Sequence, residues 1–492
     1  MKQLSGLDAT FLHMETASQF GHVSSLCIYE KPSGAYDPLA AFRRQVERRL
    51  HLLEPLRRRL VEVPLGLDHP FWIEDPDFDL DFHIRHTGVP PPGDDEQLQE
   101  LVARLIGRPL DRAHPLWEMY VIEGLANDRF AVLTKIHHAT VDGASGAELT
   151  MLILDATPDA ADVTPDVDWR PDPAPTDMQV LARASVNLVR KPGRALLLSA
   201  RALRELGEAT RNPAIIEASR QWRRSLRGPL GQLLNRGRKR DEERDPPPSL
   251  PTAMAPRTPF NGPITAHRKF AFRAASLQQV KDIKNALGAT VNDVVMAVCA
   301  GALRTYLEKR NELPDAPLVS MIPVSIRTGE ETDKWTNRVS GLLALLPTNE
   351  PDPIERVRKV HDAMVSSKEL FNAIPADTLT DFAQFPSPAM FARATRMAVR
   401  WRLADRFNPP ANLVISNVPG PREPLYAAGA KLLHYFPVST IVDGQGLNIT
   451  VQSYLDSLDF GLVSCRELVP DVGDLADDII REIDALAVAA GA

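Results

Sequence analysis

Cysteine is nearly absent from this chain. Cys27, Cys299 and Cys465 are its only three in 492 residues, and their separations offer neither a disulfide framework nor a paired thiolate metal site. A reducing compartment is implied. No uninterrupted apolar run reaches the roughly eighteen residues that a transmembrane helix needs, so none is expected. The opening Met1-Lys2-Gln3-Leu4-Ser5-Gly6-Leu7-Asp8 has no apolar core of a secretory signal. There is no Gly-x-Gly-x-x-Gly nucleotide fingerprint and no short-period repeat. What remains is a composition with 44% hydrophobic and 25% charged residues and a net charge of -7. That is an ordinary globular protein of two to three domains, expected in the cytoplasm.

The charge is unevenly spread. From Leu4 to about Ala156, strand and helix patterns alternate: Cys27 to Tyr29 and Phe130 to Ile136 read as strands, Pro38 to Leu53 and Asp95 to Ile106 as helices. Pro158 to Asp177 is acidic and proline-rich, the composition of a linker. Arg183 to Arg240 then carries fifteen Lys or Arg against three Glu, a net of 15 - 3 = +12. Its leucines recur at roughly helical spacing. Such a stretch reads either as a solvated crossover between domains or as a cationic helix lying on an anionic membrane. Nucleic acid is disfavoured, because Trp222 is its only aromatic residue. A second α/β region follows, with helices expected over Ser276 to Leu287, ending at Gly288, and over Val294 to Leu307. Strands are expected over Leu318 to Ile326 and Leu342 to Leu346. The divisions are thus 1–157, 158–250 and 251–492.

The chemistry concentrates in His137-His138-Ala139-Thr140-Val141-Asp142-Gly143. It follows a buried strand and precedes a helix expected over Ser145 to Leu154. Adjacent strand residues point to opposite faces, so only one histidine can serve a given site and the other must be structural. Adjacent strand histidines cannot chelate one metal ion, and Gly143-Ala144-Ser145-Gly146-Ala147 lacks the second glycine of a nucleophile elbow. A histidine titrating near neutrality is suited to take a proton from an alcohol or amine. The spacing His-His-x-x-x-Asp-Gly is that of acyltransferases using thioester donors. Asp142 also reads as an N-cap of the following helix.

Six motifs in order carry a more specific likeness: Leu4 to Glu15, Pro115-Leu116-Trp117, His137 to Gly143, Thr258 to Pro263, Val291-Asn292-Asp293-Val294-Val295 and Ser416 to Pro421. With them the chain resembles the bacterial wax ester synthase/diacylglycerol acyltransferase family, almost end to end apart from the connector. Thr140 departs mildly, since that position is often aliphatic. The resemblance implies two mixed sheets flanked by helices, of the chloramphenicol acetyltransferase-like type, with a tunnel between the halves. It implies His138 as general base and His137 facing away. Asp142 would support the loop through an ion pair, and Gly143 would allow the turn into the helix. Asn292 and Asp293 are candidates for holding substrate or the oxyanion, although Asp293 also fits a capping box with Thr290. Trp117 reads as core, and Ser416 to Pro421 as a turn shaping the cleft.

The implied reaction moves a long-chain acyl group from acyl-CoA to diacylglycerol, and also to long-chain alcohols, without metal or other cofactor. Peripheral contact with the inner membrane face or lipid inclusions would run through 183–240. Two alternatives stand beside it: a condensation-type enzyme with another acceptor or a carrier-bound donor, and a weakly active paralogue that binds lipid surfaces.

Overall fold

The computed structural model describes residues 1–141, 149–159, 171, 173–184, 255–325, 339–372 and 388–492. Asp142, Gly143, the start of the helix expected from Ser145, most of the linker and the basic stretch beyond Ala184 lie outside the described residues.

The first part of the chain runs β1 (Lys2–Gln3), α1 (Gly6–His13), β2 (His22–Glu30), α2 (Pro38–Arg49), β3 (Arg58–Val61), β4 (Phe71–Glu74), α3 (Leu80–His83), β5 (Ile84–Gly88), α4 (Asp95–Ile106), β6 (Trp117–Leu125) and β7 (Arg129–His137). The later part runs β8 (Arg268–Ser276), α5 (Leu277–Leu287), α6 (Val291–Glu308), β9 (Leu318–Ser325), β10 (Val339–Leu346), α7 (Pro353–Asn372), α8 (Pro388–Arg400), α9 (Leu403–Arg406), β11 (Leu413–Val418), β12 (Tyr426–Ala427), β13 (Ala430–Val438), β14 (Leu447–Tyr454), β15 (Ser457–Cys465) and α10 (Val472–Ala490).

Local signals explain most boundaries. Asp94 caps α4 with Gln97 in a reciprocal capping box. Ser276 caps α5, which stops at Gly288 in the left-handed conformation. Thr290 and Asp293 form the capping box expected at the start of α6. The strand expected only over Cys27 to Tyr29 extends back to His22. Its first half, His22-Val23-Ser24-Ser25, is polar and half-buried, which hid it from a reading based on apolar runs.

Two six-stranded mixed sheets dominate, ordered β12-β13-β2-β7-β6-β5 and β10-β9-β11-β14-β15-β8. Sheet membership does not follow chain order. β13 comes from the C-terminal stretch yet pairs antiparallel with β2, with a bulge between Leu432 and His434. Buried Asp459 of β15 spans the sheets there: its carboxylate accepts the Tyr435 N–H at 2.7 Å and lies 3.2 Å from His434 Nδ1. One apolar cluster joins both sheets, with Leu26, Ile28 and Leu133 from the first, Phe270, Phe272 and Val463 from the second, and Leu98 of α4. The other sheet face is covered by the α6 core, where Val294 to Leu303 is buried without interruption.

The sheets approach closely at Gly461 of β15. A Cβ there would lie 1.7 Å from the Pro437 carbonyl oxygen of β13, so only glycine fits without the backbones separating. Gly461→Ala should destabilise the fold by about 1–3 kcal/mol, the usual cost of overpacking, read as an earlier urea midpoint. An unchanged midpoint would show that the sheets are not locked at this point.

Candidate active site

Strand β7 delivers the two histidines. It runs antiparallel to β2 with His22 opposite His137, the last ladder pair. Beyond the ladder, the His138 N–H donates to the Gly21 carbonyl at 2.8 Å, and the Thr140 N–H returns to the His137 carbonyl at 2.8 Å. The chain therefore turns immediately after the strand, with its backbone polar groups paired.

Alternation then separates the rings. His137 points inward and is 1% exposed. His138 is half-buried, its ring stacked on Phe11 of α1 with centroids 4.0 Å apart and planes 13° from parallel. The aromatic face fixes the imidazole plane.

Polar groups hold the His137 ring. Its Nδ1 accepts the Ala139 N–H at 3.0 Å, which places the ring proton on Nε2. Nε2 lies 3.2 Å from Oε1 of Glu15, off the axis of a straight hydrogen bond. The same Oε1 accepts the Gly21 N–H at 2.8 Å. The other oxygen, Oε2, receives Arg112 through Nη2 at 2.7 Å and Nε at 3.2 Å. Arg112 Nη2 also donates to the Leu12 carbonyl at 2.6 Å. Burial alone would push the Glu15 carboxyl up; contact with His137, the Gly21 amide and Arg112 outweigh it and bring it down to about 2. Gly21 must be glycine here, because a Cβ would sit 2.4 Å from His137 Nε2 and 3.1 Å from the Phe11 carbonyl oxygen.

The segment carrying these groups, 15–21, is tied to the distant end of the chain. Arg268 Nη2 donates to the Ser18 carbonyl at 2.6 Å and its guanidinium lies 5.2 Å from the Phe20 ring centroid. Thr440 donates to the Phe20 carbonyl at 2.8 Å, and the Asp443 N–H to Gln19 Oε1 at 2.9 Å.

The other sequence candidates sit elsewhere. Asp293 is 3% exposed; its carboxylate accepts the Thr290 N–H and lies 2.9 Å from His361 Nδ1. Asn292 is half-buried in the first turn of α6. Trp117 is fully buried, donates to the Leu56 carbonyl at 2.7 Å and stacks on His83, as a core residue should. Ser416 to Val418 finishes β11, and the turn begins only at Pro419, so the motif is half strand. Thr258 to Pro263 forms a polar knot in which the Asn261 amide donates to the Asn412 and Gly444 carbonyls at 2.8 Å each. Among the described residues, no three His, Cys, Asp or Glu side chains gather as a metal site, and no single helix is long and apolar enough to cross a membrane.

A cavity of about 170 Å³ abuts the motif turn at Ala139 and Thr140, and is lined also by Lys2, Asp8, Arg58 and Trp72. A larger cleft of about 710 Å³ lies by Ile28 and Arg129, at the other end of β2 and β7, and contains neither histidine.

Sequence reasoning did not single out Glu15, Gly21, Phe11 or Arg112. Glu15 and Phe11 lay within the opening motif, but nothing in a linear pattern pairs an acid after α1 with an arginine 97 positions on.

Comparison with known proteins gives the site its context. Residues 4–295 match the wax ester synthase/diacylglycerol acyltransferase catalytic domain, and residues 335–487 match the family's C-terminal domain. A putative diacylglycerol O-acyltransferase of Mycobacterium tuberculosis is 35% identical over 483 residues, 97% of this chain and 88% of the relative. A probable diacylglycerol O-acyltransferase from the same organism is 36% identical, covering 98% of each chain. The solved wax ester synthase/diacylglycerol acyltransferase from Marinobacter aquaeolei VT8 is 30% identical, with both chains covered in full and a TM-score of 0.69. The first condensation domain of the calcium-dependent antibiotic synthetase, 16% identical with a TM-score of 0.56 over 100% of this chain and 97% of its own, shares the fold alone. With both of the family's domain models matched and 97% of its length covered by a relative 35% identical to it, the chain belongs to the wax ester synthase/diacylglycerol acyltransferase family.

Proposed function

We propose that the chain is an acyl-CoA-dependent O-acyltransferase that esterifies diacylglycerol, and also long-chain alcohols, with His138 as the general base. The observation that carries this reading is the division between the histidines: His137 is packed into a polar network, while His138 stands half-buried on Phe11 at the strand end. Family membership supplies the reaction class, and the Mycobacterium and Marinobacter relatives supply the acceptors by their names.

His138 takes the acceptor's hydroxyl proton as the oxygen attacks the thioester carbonyl. The tetrahedral oxyanion collapses, the carbon–sulfur bond breaks, and the imidazolium returns its proton to the departing CoA thiolate. The proton count closes with no covalent acyl-enzyme, and these steps call on no metal or prosthetic group. Asn292, in the first turn of an 18-residue helix, is the proposed oxyanion donor, aided by the positive end of that helix. Asp293, an acceptor-only carboxylate, holds the helix start. Asp142 is assigned support of the motif loop, and Gly143 the turn after it.

The lipid acceptors suit a cytoplasmic protein that meets a membrane or lipid inclusion at its surface. The +12 stretch over 183–240 is one proposed contact. Among the described residues, Trp401 and Phe407 are 53% and 63% exposed, amid Arg393, Arg396, Arg400, Arg402 and Arg406; α8, which leads into them, packs on α1. Apolar rings among arginines are the chemistry of an interfacial contact.

Two measurements check this. Thiol release from palmitoyl-CoA should accelerate with dipalmitoylglycerol or hexadecanol, and His138→Ala should lower the rate by roughly a hundred- to ten-thousand-fold while leaving the circular dichroism unchanged. Wild-type-like turnover in that variant would remove His138 as base. The chain should also float with phosphatidylglycerol vesicles, much less with phosphatidylcholine, and detach in high salt; equal binding to both lipids would eliminate the cationic contact.

A further inference from the structure

Deepening that reading, and resting on it for the role of His138, we propose that Glu15, clamped by Arg112, is a positioning residue for the reaction: it fixes the His137 ring and the Gly21 backbone, and through both it sets where the strand end presents His138.

Glu15 touches two groups at the strand end at once. Its Oε1 is shared by the Gly21 N–H at 2.8 Å and His137 Nε2 at 3.2 Å. Gly21 passes the constraint on, because its carbonyl accepts the His138 N–H at 2.8 Å. His137 passes it on a second time, because its Nδ1 accepts the Ala139 N–H at 3.0 Å. The amides on both sides of His138, its own N–H and that of Ala139, are thus anchored to groups that Glu15 holds. The Phe11 ring sets the imidazole plane, and Glu15 sets the backbone.

Electrostatics favour this role over a relay of protons. With Nδ1 occupied as an acceptor, His137 has no second proton to pass along, and its ring is sealed from solvent at 1% exposure. The Glu15 carboxylate is itself balanced by the two-pronged Arg112 contact, so the layer beneath His138 is close to neutral. A buried carboxylate without that partner would be costly and would reorganise the segment. Small displacements of a base lower rates steeply, because transfer needs the reacting atoms in near-attack geometry.

Glu15→Gln keeps the shape and an acceptor for the Gly21 amide but removes the charge that holds Arg112 and the His137 Nε2–H. We expect kcat to fall by up to roughly a hundred-fold, the scale of a small misplacement of the reacting groups, with KM for palmitoyl-CoA within about two-fold. The loss should largely vanish in a His137→Gln background, where the ring it acts through is gone. If Glu15→Gln turns over like wild type, or if its loss simply adds to that of His137→Gln, the positioning role is overturned. Should Glu15→Gln fail to fold, Arg112→Gln carries the same test, since it leaves the carboxylate and frees it from its clamp.

A spectroscopic readout keeps the inference separate from the choice of substrate. In ¹⁵N-histidine-labelled wild type, His137 should show a protected Nε2–H and an unprotonated Nδ1, and Glu15→Gln should lose that protection. Were wild type to release no CoA with either acceptor while this signature followed Glu15, the functional reading would fail and the positioning contact would stand. An active wild type whose His137 signal ignores Glu15 would sink the positioning role alone.

Discussion

The register between β2 and β7 is the constraint on which the rest of the site depends. Side chains alternate along a strand, so a slip by one residue would exchange the two histidines, turning His137 to the Phe11 side and burying His138. The pairing runs unbroken from Glu30 opposite Arg129 to His22 opposite His137. It is pinned at its histidine end by Gly21, whose carbonyl receives the first amide beyond the ladder. Burial on both faces raises the cost of slipping: Leu26, Ile28, Ala131 and Leu133 face one cluster, and Cys27, Tyr29, Phe130 and Val132 face another.

That register is in turn held from the far end of the chain. β13 pairs with β2 on the side opposite β7, so the strand beside the histidine strand is gripped by a segment some four hundred residues away in sequence. Thr440 and Asp443, just beyond β13, bond to the loop that leads into β2, and Arg268 at the start of β8 does the same. The site therefore belongs to both parts of the chain even though both histidines come from one. Contacts of such long sequence separation form late and entropically at high cost, which makes the catalytic geometry a property of the completed fold rather than of either part alone.

Much of this was legible in the sequence, and what was not has a physical reason. The motif turn announced itself because a buried strand followed by two histidines is an unusual pattern. Strand alternation sufficed to say that one ring must be structural, and likeness to the family chose His138 for the base. The stop of α5 at Gly288 and the capping box of Thr290 with Asp293 at the start of α6 were written in the sequence. The first half of β2 was missed because its serines give no apolar run. The strand swap of β13 was invisible, since nothing local distinguishes a strand that pairs within its own part from one that crosses over. The Glu15–Arg112 pair was hidden for the same reason: each residue alone reads as an ordinary surface charge, and only the fold brings them together and buries the carboxylate to 13% side-chain exposure.

Two neighbouring residues of identical chemistry thus acquire opposite duties from their surroundings alone. A histidine enclosed by a carboxylate, a backbone amide and a glycine that leaves it no slack becomes part of the scaffold. The next one stacks on an aromatic ring and keeps a partly open face, the setting of the proposed general base. The arrangement also resolves a tension peculiar to lipid substrates. A base that serves an apolar acceptor must sit where water is scarce, yet a rigid histidine there needs polar partners to hold it. For the proposed base His138, partners placed on the adjacent residue serve both demands, because the network of His137, Glu15 and Gly21 holds the amides on either side of it while Phe11 stacks on its ring.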